Sequence, residues 1–487
     1  MKLYNTFSGK KEILRKPKGR PLNLFVCGPT VYDYSHIGHA RTYIVFDTLV
    51  KWLRFQGYKI FYLQNITDVD DKIIKRSRQQ NKNPFSLARF FEKEYYSDMK
   101  LLGVNSVNRY AQASEYIKEI QEQISILIKK GYAYQTKNGV YFEVKKFKDY
   151  GKLSRQNLEA LRPGWRIEPD PQKKDPLDFA LWKTTRISAD LNADKRGFKI
   201  INGEPSWYSP WGWGRPGWHI EDTAITQKFF GPQYDLHGGA AELKFPHHES
   251  EIAQQETASN KKPFVKIWLH TGLLLVKKEK MSKSLGNFIT IRDFLKQSKK
   301  YDGANLLRWI ILSHHYRSPI DYNEKLVEQT KKSFLTIKEF LEKIQFIKES
   351  RSRDKSHETK VGERESGISV EKYEKLFKQA INDDFNTPKA MAAIFEIISS
   401  LQNKIWQLSP SPVKKVEDFI IEKLKIFGII IKPEKIPQEI RALAAQRERL
   451  RSNQQFIQAD HLRKKIEALG YRVEDTKIGP IILKSND

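Results

Sequence analysis

The sequence predicts an α/β protein in which a parallel sheet is followed by a helical half and a small C-terminal α+β module. Three observations carry this. Leu22 to Cys27 form a short apolar run that stops at Gly28-Pro29, and Lys59 to Asn65 form a second extended run. Between them Tyr43, Phe46, Leu49, Val50 and Leu53 recur at three- and four-residue spacing, the period of a helix with one apolar face. From Tyr301 onward helical patterning takes over.

Strand, turn, helix and strand in that order make a β-α-β unit with parallel strands and a helix crossing over one face. Ligands of such sheets sit beyond the carboxyl ends of the strands, where turn meets helix. That places His36-Ile37-Gly38-His39 at the mouth. A helix N-terminus carries roughly half a positive charge and unpaired amides, which attract phosphate. Two imidazoles there can donate hydrogen bonds to phosphoryl oxygens, and Gly38 lets a nucleotide approach the backbone. The plainer account of an isolated histidine pair is that it caps the helix.

Bulk properties set bounds. A chain of 487 residues has room for three or four domains. One cysteine, Cys27, rules out an intramolecular disulfide and fits a reducing cytoplasmic compartment. Lys and Arg number 86 against 58 Asp and Glu, a net +28 that suits a long polyanion better than a small acidic metabolite. A lysine-rich solvated surface would give the same balance. The N-terminal "MKLYNTFSGKKEILRKPKGR" has no apolar core for a signal peptide, and no run is long enough to span a bilayer, so no membrane partner is expected.

"HIGH" at the end of a strand and the start of a helix resembles the signature of class I aminoacyl-tRNA synthetases. The flanking "CGPTVYDYSHIGHAR" resembles its cysteinyl-tRNA synthetase version. Downstream, "FVKIWLHTGLLLVKKEKMSKSLGNFITI" gives a strand, a turn and Lys280-Met281-Ser282-Lys283-Ser284. Small residues make such a loop mobile, and its two lysines can swing over a triphosphate. A basic solvated loop is the default for that string alone; the two motifs together make the resemblance specific. It implies a Rossmann-type catalytic domain split by a connective insertion, then a helical bundle and an anticodon-end module.

The resemblance assigns catalysis to His36, His39, Lys280 and Lys283. It assigns ATP contacts to Gly28, Thr30, His36, Gly38, His39, Gly238, Gly239, Glu242 and Lys283, and the substrate pocket to Tyr32, Thr67, Trp218 and His237. Cys27, Asp222, His247 and Glu251 match the positions that hold a zinc ion, with Mg2+ accompanying ATP. This sequence departs from the pattern at Asp222, where cysteine is usual, at Ala240, where a third glycine is usual, and at Glu242, where aspartate is usual.

The remaining stretches read in order. In "NITDVDDKIIKRS", Asp68, Asp70 and Asp71 open a helix, and capping is a simpler account of them than a metal site. Pro84 to Tyr134 reads as two or three amphipathic helices, with strands and a loop following to about Pro169. The sheet is expected to resume at "DPLDFALWK"; the stretch between Lys183 and Pro205 is a surface loop or hairpin longer than usual. "SPWGWGRPGWHIEDTA" is a tight loop leading into a helix near Trp218. His247 and Glu251 are four apart and share a face if helical. Lys348 to Ser366 is almost without apolar residues and reads as a linker. Asn386 or Thr387 caps a helix with Pro388 in its first turn, and the tail "AQRERLRSNQQFIQADHLRKKIEALGYRVEDTKIGPIIL" reads as basic helices and a short β segment.

Expected boundaries are 1–104 and 206–275 for the two halves of the core, 105–205 for the insertion and surface loop, and 276–345 for the KMSKS loop and stem-contact helices. A flexible linker at 346–370, a bundle at 371–432 and the anticodon-end module at 436–487 complete the chain. The resemblance implies a monomeric, cytoplasmic enzyme that activates L-cysteine with ATP and transfers it to tRNA(Cys). A ligase passing cysteine to a small amine shares the core, but such relatives lack the tail from Ile436; a non-enzymatic RNA-binding paralogue would have no need of either motif.

Overall fold

The computed structural model describes residues 1–156, 170–186, 197–281, 285–299, 302–353, 369–431 and 435–485, which divide into two compact units. The first comprises residues 1–304, 315–322 and 383–385.

It opens with a hairpin, β1 (Lys2–Asn5) and β2 (Lys10–Ile13). The expected β-α-β unit follows as β3 (Leu22–Val26), α1 (Ile37–Phe55) and β4 (Ile60–Ile66), with β3 and β4 parallel from Leu22↔Ile60 to Val26↔Gln64. The periodic residues Tyr43, Phe46, Leu49, Val50 and Leu53 of α1 are buried, but so is every residue from Ala40 to Val50, so this helix is enclosed nearly all round and not on one face alone. Next come α2 (Asp71–Gln79), capped by Asp70, and α3 (Pro84–Leu101), capped by Asn83 with proline in its first turn.

Strand β5 (Arg109–Gln112) pairs parallel with β4 at the sheet edge. It therefore belongs to the core and not to the insertion expected from residue 105. Helix α4 (Ile117–Lys129) leads to β6 (Ala133–Gln135), β7 (Gly139–Phe142), β8 (Phe179–Thr184), β9 (Phe198–Ile201), β10 (Glu204–Trp207) and β11 (Gly214–Pro216). These form one six-stranded sheet in the order β6-β7-β8-β11-β10-β9, with every pairing antiparallel.

The core sheet thus does not resume at "DPLDFALWK", and the insertion does not end at residue 205. An extended apolar run announces a strand but not its partner. A parallel partner needs a crossover, and β8 joins its neighbours through antiparallel pairing instead. The stretch after Lys183 does contain the expected hairpin, β9-β10, though residues 187–196 lie outside the described residues.

The core returns with α5 (Ile220–Phe230), β12 (Tyr234–Ala240), α6 (Glu249–Ser259) and β13 (Val265–Thr271). This gives a five-stranded parallel sheet in the order β13-β12-β3-β4-β5. Strands β14 (Leu274–Val276) and β15 (Glu279–Lys280) follow, then α7 (Ile291–Gln297) and β16 (Ile320–Tyr322), with β14 lying between β15 and β16; α8 (Gly303–Leu312), between α7 and β16 in the chain, belongs from Asn305 on to the second unit.

The second unit comprises residues 305–314, 323–382 and 386–487. It contains α9 (Glu324–Arg353), α10 (Val370–Asn382), α11 (Thr387–Leu401) and α12 (Pro410–Ile426), then α13 (Gln438–Ser452), α14 (Phe456–Ala468) and the hairpin β17 (Tyr471–Thr476) and β18 (Gly479–Lys484). Helix α9 runs beyond the expected start of the linker because Phe340, Ile344 and Ile347 continue its buried face and Lys348 pairs with Glu417 at 2.7 Å. The linker's remaining span, 354–368, lies outside the described residues. Asn386 caps α11, and Ile440, Leu443, Ala444, Ile466 and Val473 build a small separate core at the C-terminal end. Among the described residues no helix is long and apolar enough to cross a membrane.

Candidate active site

A cavity of about 790 Å³ opens beyond the carboxyl ends of β3, β12 and β13. Its walls at one end come from the turn after β3 and the start of α1. His36 is the helix N-cap: its Nδ1 accepts the Gly38 N–H at 3.1 Å, and Nδ1 of His39 accepts the His36 N–H at 3.4 Å. The rings stack with centroids 3.8 Å apart. Each Nδ1 is committed as an acceptor, so the proton of each neutral ring sits on Nε2, the donor left for a ligand. Burial lowers the pKa of His36 to about 4 and that of His39 well below its ordinary value, so both rings are neutral at physiological pH. Capping and presentation of donors are thus the same arrangement. Lys280 closes this end, its Nζ 2.5 Å from a carboxylate oxygen of Glu242.

The other end is buried and crowded with ionisable groups. The Cys27 thiol stands 3.3 Å from Asp222 Oδ2, 3.1 Å from His248 Nε2 and 3.4 Å from His237 Nε2. His247 Nε2 is 3.0 Å from Asp222 Oδ2 and 3.3 Å from Glu251 Oε1. Behind these rings, His247 Nδ1 bonds His219 at 2.8 Å and His248 Nδ1 bonds His270 at 2.8 Å, which orients both Nε2 atoms toward the thiol and the acids. Neither carboxylate oxygen of Glu251 accepts a hydrogen bond, nor does Asp222 Oδ1, although all are buried. Burial, with the charges of Asp222 and Glu251, pushes the Cys27 thiol up, and burial with Asp222 does the same to Glu251. Burial holds His248 and His237 neutral.

Unpartnered buried carboxylate oxygens are costly, and a cation among them would reverse the rises at Cys27 and Glu251 and hold the imidazoles neutral all the more firmly. Ligand atoms of Cys27, His247, His248 and Glu251 all lie within 4.8 Å of one another, so this is a possible metal site of sulfur, nitrogen and oxygen donors.

Residues 14–332 match the catalytic-domain family described as tRNA synthetases class I (C), and residues 376–431 match the DALR domain. A "Cysteine--tRNA ligase" of Thermococcus onnurineus is 41% identical over 490 residues, covering 99% of this chain and 98% of that protein. The chain belongs to the cysteine--tRNA ligase family. It is therefore a class I aminoacyl-tRNA synthetase, an enzyme that makes aminoacyl-tRNA. A second relative of that name, from Thermoplasma volcanium, is 40% identical and covers 98% of each chain. Among solved structures, a Mycobacterium tuberculosis methionyl-tRNA synthetase in complex with methionyl-adenylate shares the fold, with a TM-score of 0.58 at 12% identity over 84% of this chain and 89% of that one.

Within this cysteine--tRNA ligase fold, the expected site residues fall into three groups. Cys27, Gly28, Thr30, Tyr32, His36, Gly38, His39, Trp218, Glu242, His247 and Lys280 line the cavity. Trp218 stacks on His247 at 4.2 Å, joining the expected substrate wall to the cluster. Thr67, Asp222, His237, Gly238, Gly239 and Glu251 do not line it. Thr67 is buried and donates its hydroxyl to Glu221, and His237 packs at 4.2 Å on Trp268 behind the Cys27 thiol. Gly238 has a packing reason of its own, since a side chain there would meet the Phe46 ring at 2.2 Å. Gly28 likewise leaves no room beside the Asn65 carbonyl, 1.7 Å from where its Cβ would stand. Lys283 lies outside the described residues.

The sequence reading passed over His248, His219 and His270. His248 was within reach, being the second histidine of "FPHHES"; nothing local in the sequence marks the other two.

Proposed function

We propose that the chain activates L-cysteine with ATP and transfers it to the terminal adenosine of tRNA(Cys). The observation that carries this is one cavity joining a pair of helix-capping imidazoles and Lys280 at one end to a buried thiol, imidazole and carboxylate cluster at the other. In the first step an oxygen of the cysteine carboxylate attacks the α-phosphorus of Mg2+-bound ATP, and pyrophosphate leaves with the electron pair of the broken bond. In the second, the 2'-hydroxyl of the terminal adenosine attacks the adenylate carbonyl and AMP departs.

The residues' parts follow from their chemistry. Neutral His36 and His39 donate Nε2–H bonds to phosphoryl oxygens without moving a proton, so they stabilise charge as it shifts. Lys280, and Lys283 with it, offset charge growing on pyrophosphate; Lys280 must leave Glu242 to do so. Trp218 and Tyr32 shape the wall around the amino acid.

Cys27, His247 and Glu251, with Asp222 in the position where this family's pattern has cysteine, would hold a zinc ion. Bound there, zinc supplies a soft Lewis acid that takes the substrate thiol as thiolate and leaves a hydroxyl analogue such as serine behind. Asp222 would supply the negative charge of a thiolate, and its bonds to Cys27 and His247 support that role. His248 Nε2, 3.1 Å from the Cys27 sulfur, is a further nitrogen donor in the same cluster. The harder oxygen ligand weakens the preference for zinc over other divalent ions.

Cysteine-dependent exchange of pyrophosphate into ATP, followed by charging of tRNA(Cys), tests the reading. Exchange with cysteine but not serine, together with tRNA charging, is the expected result; transfer to a small amine with no charging of tRNA would overturn it.

A further inference from the structure

Lys72 stands in the first turn of α2, its backbone N–H held at 2.8 Å by the capping Asp70 carboxylate. Its ammonium faces the cavity between two aromatic rings, 5.7 Å from the centre of Tyr32 and 5.9 Å from that of Trp218. The acids beside it are engaged elsewhere: Asp70 caps the helix, and Asp71 binds Lys183 at 2.5 Å and Arg215 at 2.6 Å. Among the described residues the Lys72 ammonium has neither an ion-pair partner nor a hydrogen-bond acceptor. Its charge is also felt at His39, so it lies toward the phosphate end as well as beside Trp218. Asp70 feels this charge without pairing with it, and an ammonium oriented by two ring faces with no direct ion pair is placed to meet an anion from the cavity.

Distance points to the carboxylate. The Trp218 ring centre lies 4.2 Å from the His247 ring centre and 5.9 Å from Lys72 Nζ, so Lys72 is no more than about 10 Å from that imidazole. A cysteine whose sulfur is held by a metal beside His247 reaches, through its carbon chain and one ion-pair bond, on the order of 10 Å from the same ring. The group at the far end of that span is the α-carboxylate. We propose that Lys72 is the residue that binds the substrate α-carboxylate and turns its oxygen toward the α-phosphorus held at the His36 and His39 end. This rests on the reading that the cavity takes an amino acid and ATP. The ion pair exists in the ground state, and as the carboxylate becomes a mixed anhydride the ammonium passes to the phosphate oxygens of the adenylate.

Cysteamine carries the thiol and amine of cysteine without the carboxylate, which separates recognition of that group from the integrity of the pocket. Dissociation constants of L-cysteine and cysteamine are measured on the full chain for wild type, Lys72→Met and Lys72→Arg. Loss of one charge-assisted hydrogen bond should weaken cysteine about tenfold to a hundredfold in Lys72→Met, leave cysteamine within about twofold, and be largely restored in Lys72→Arg. Equal weakening of both thiols would show that Lys72 only supports the pocket, and a change confined to ATP affinity would assign it to phosphate; either overturns the proposal. Wild-type protein that binds neither thiol would instead refute the underlying reading of the cavity.

Discussion

The two ends of the cavity solve opposite problems. At the Cys27 end the side chains are fully buried, and two carboxylates keep oxygens without hydrogen-bond partners. At the His36 end each ring's Nδ1 is satisfied by backbone while its Nε2 is left as a donor, and a flanking cation, Lys280, is more than half exposed in a pair with Glu242. An unsatisfied buried cluster must either keep its acids protonated, as the raised pKa values of Glu251 and Cys27 describe, or hold a cation, whereas a partly exposed site can bind and release a ligand at each turnover. Under the proposed function this is the contrast between a resident ion at one end and a passing nucleotide at the other.

The largest expected effect breaks the passing end. Lys283→Ala should lower single-turnover adenylation by two to three orders of magnitude, as loss of one donor to transition-state charge does, with cysteine affinity nearly unchanged. Rapid-quench measurement of adenylate checks it, and a rate within a few-fold of wild type would remove the loop from catalysis.

At the resident end, Cys27→Ser should lower zinc affinity by at least about a hundredfold, because a thiolate ligand is replaced by a poor one. Elemental analysis of protein purified without chelators reads this directly. A variant retaining one zinc per chain would show that the thiol is not a ligand. The companion change Asp222→Cys should raise zinc retention and sharpen selection against serine.

A pH experiment probes how completely His36 is satisfied. Its folded pKa of about 4 lies below the ordinary 6.5, so between those values the unfolded chain binds more protons and stability falls as pH falls. Between pH 7 and pH 5 this one group should account for roughly 2 kcal/mol, all of it already present above 6.5. Denaturant titrations of wild type and His36→Asn at both pH values test the difference; parallel pH profiles would mean that the ring is not buried neutral.

The smallest effect lies outside the cavity. Deleting the chain from Ile436 should leave pyrophosphate exchange unchanged and reduce tRNA charging about tenfold at low salt, with the gap narrowing as salt rises because lysine and arginine contacts to phosphate weaken. Unchanged charging would exclude the tail from recognition.

What was legible in the sequence was local. The helix over Ile37–Phe55 and its flanking strands follow from spacing, and Asp70, Asn83 and Asn386 occupy caps that their side chains favour. What was not legible was partnership. Strand β5 carries the half-exposed Arg109 and Tyr110 at a sheet edge and lacks the alternation that marks a strand. The run at Phe179 looks like any core strand until its antiparallel neighbours are known. The site divides in the same way. His36 and His39 sit within one turn of one motif, while Cys27 and Asp222 meet at 3.3 Å across 195 positions, and resemblance rather than spacing brought them together. His237 was expected in the substrate pocket from the resemblance alone; the pleat turns it under Cys27 instead.

Cys27 has one more consequence. It is the only thiol in 487 residues and is almost wholly buried at the floor of the cavity. Any thiol-directed reagent that reacts with the folded protein therefore reports on a single atom. Its rate becomes a clock for opening of the cavity, its protection by metal and substrate an occupancy gauge, and its oxidation a way of silencing the enzyme that leaves the second unit chemically untouched.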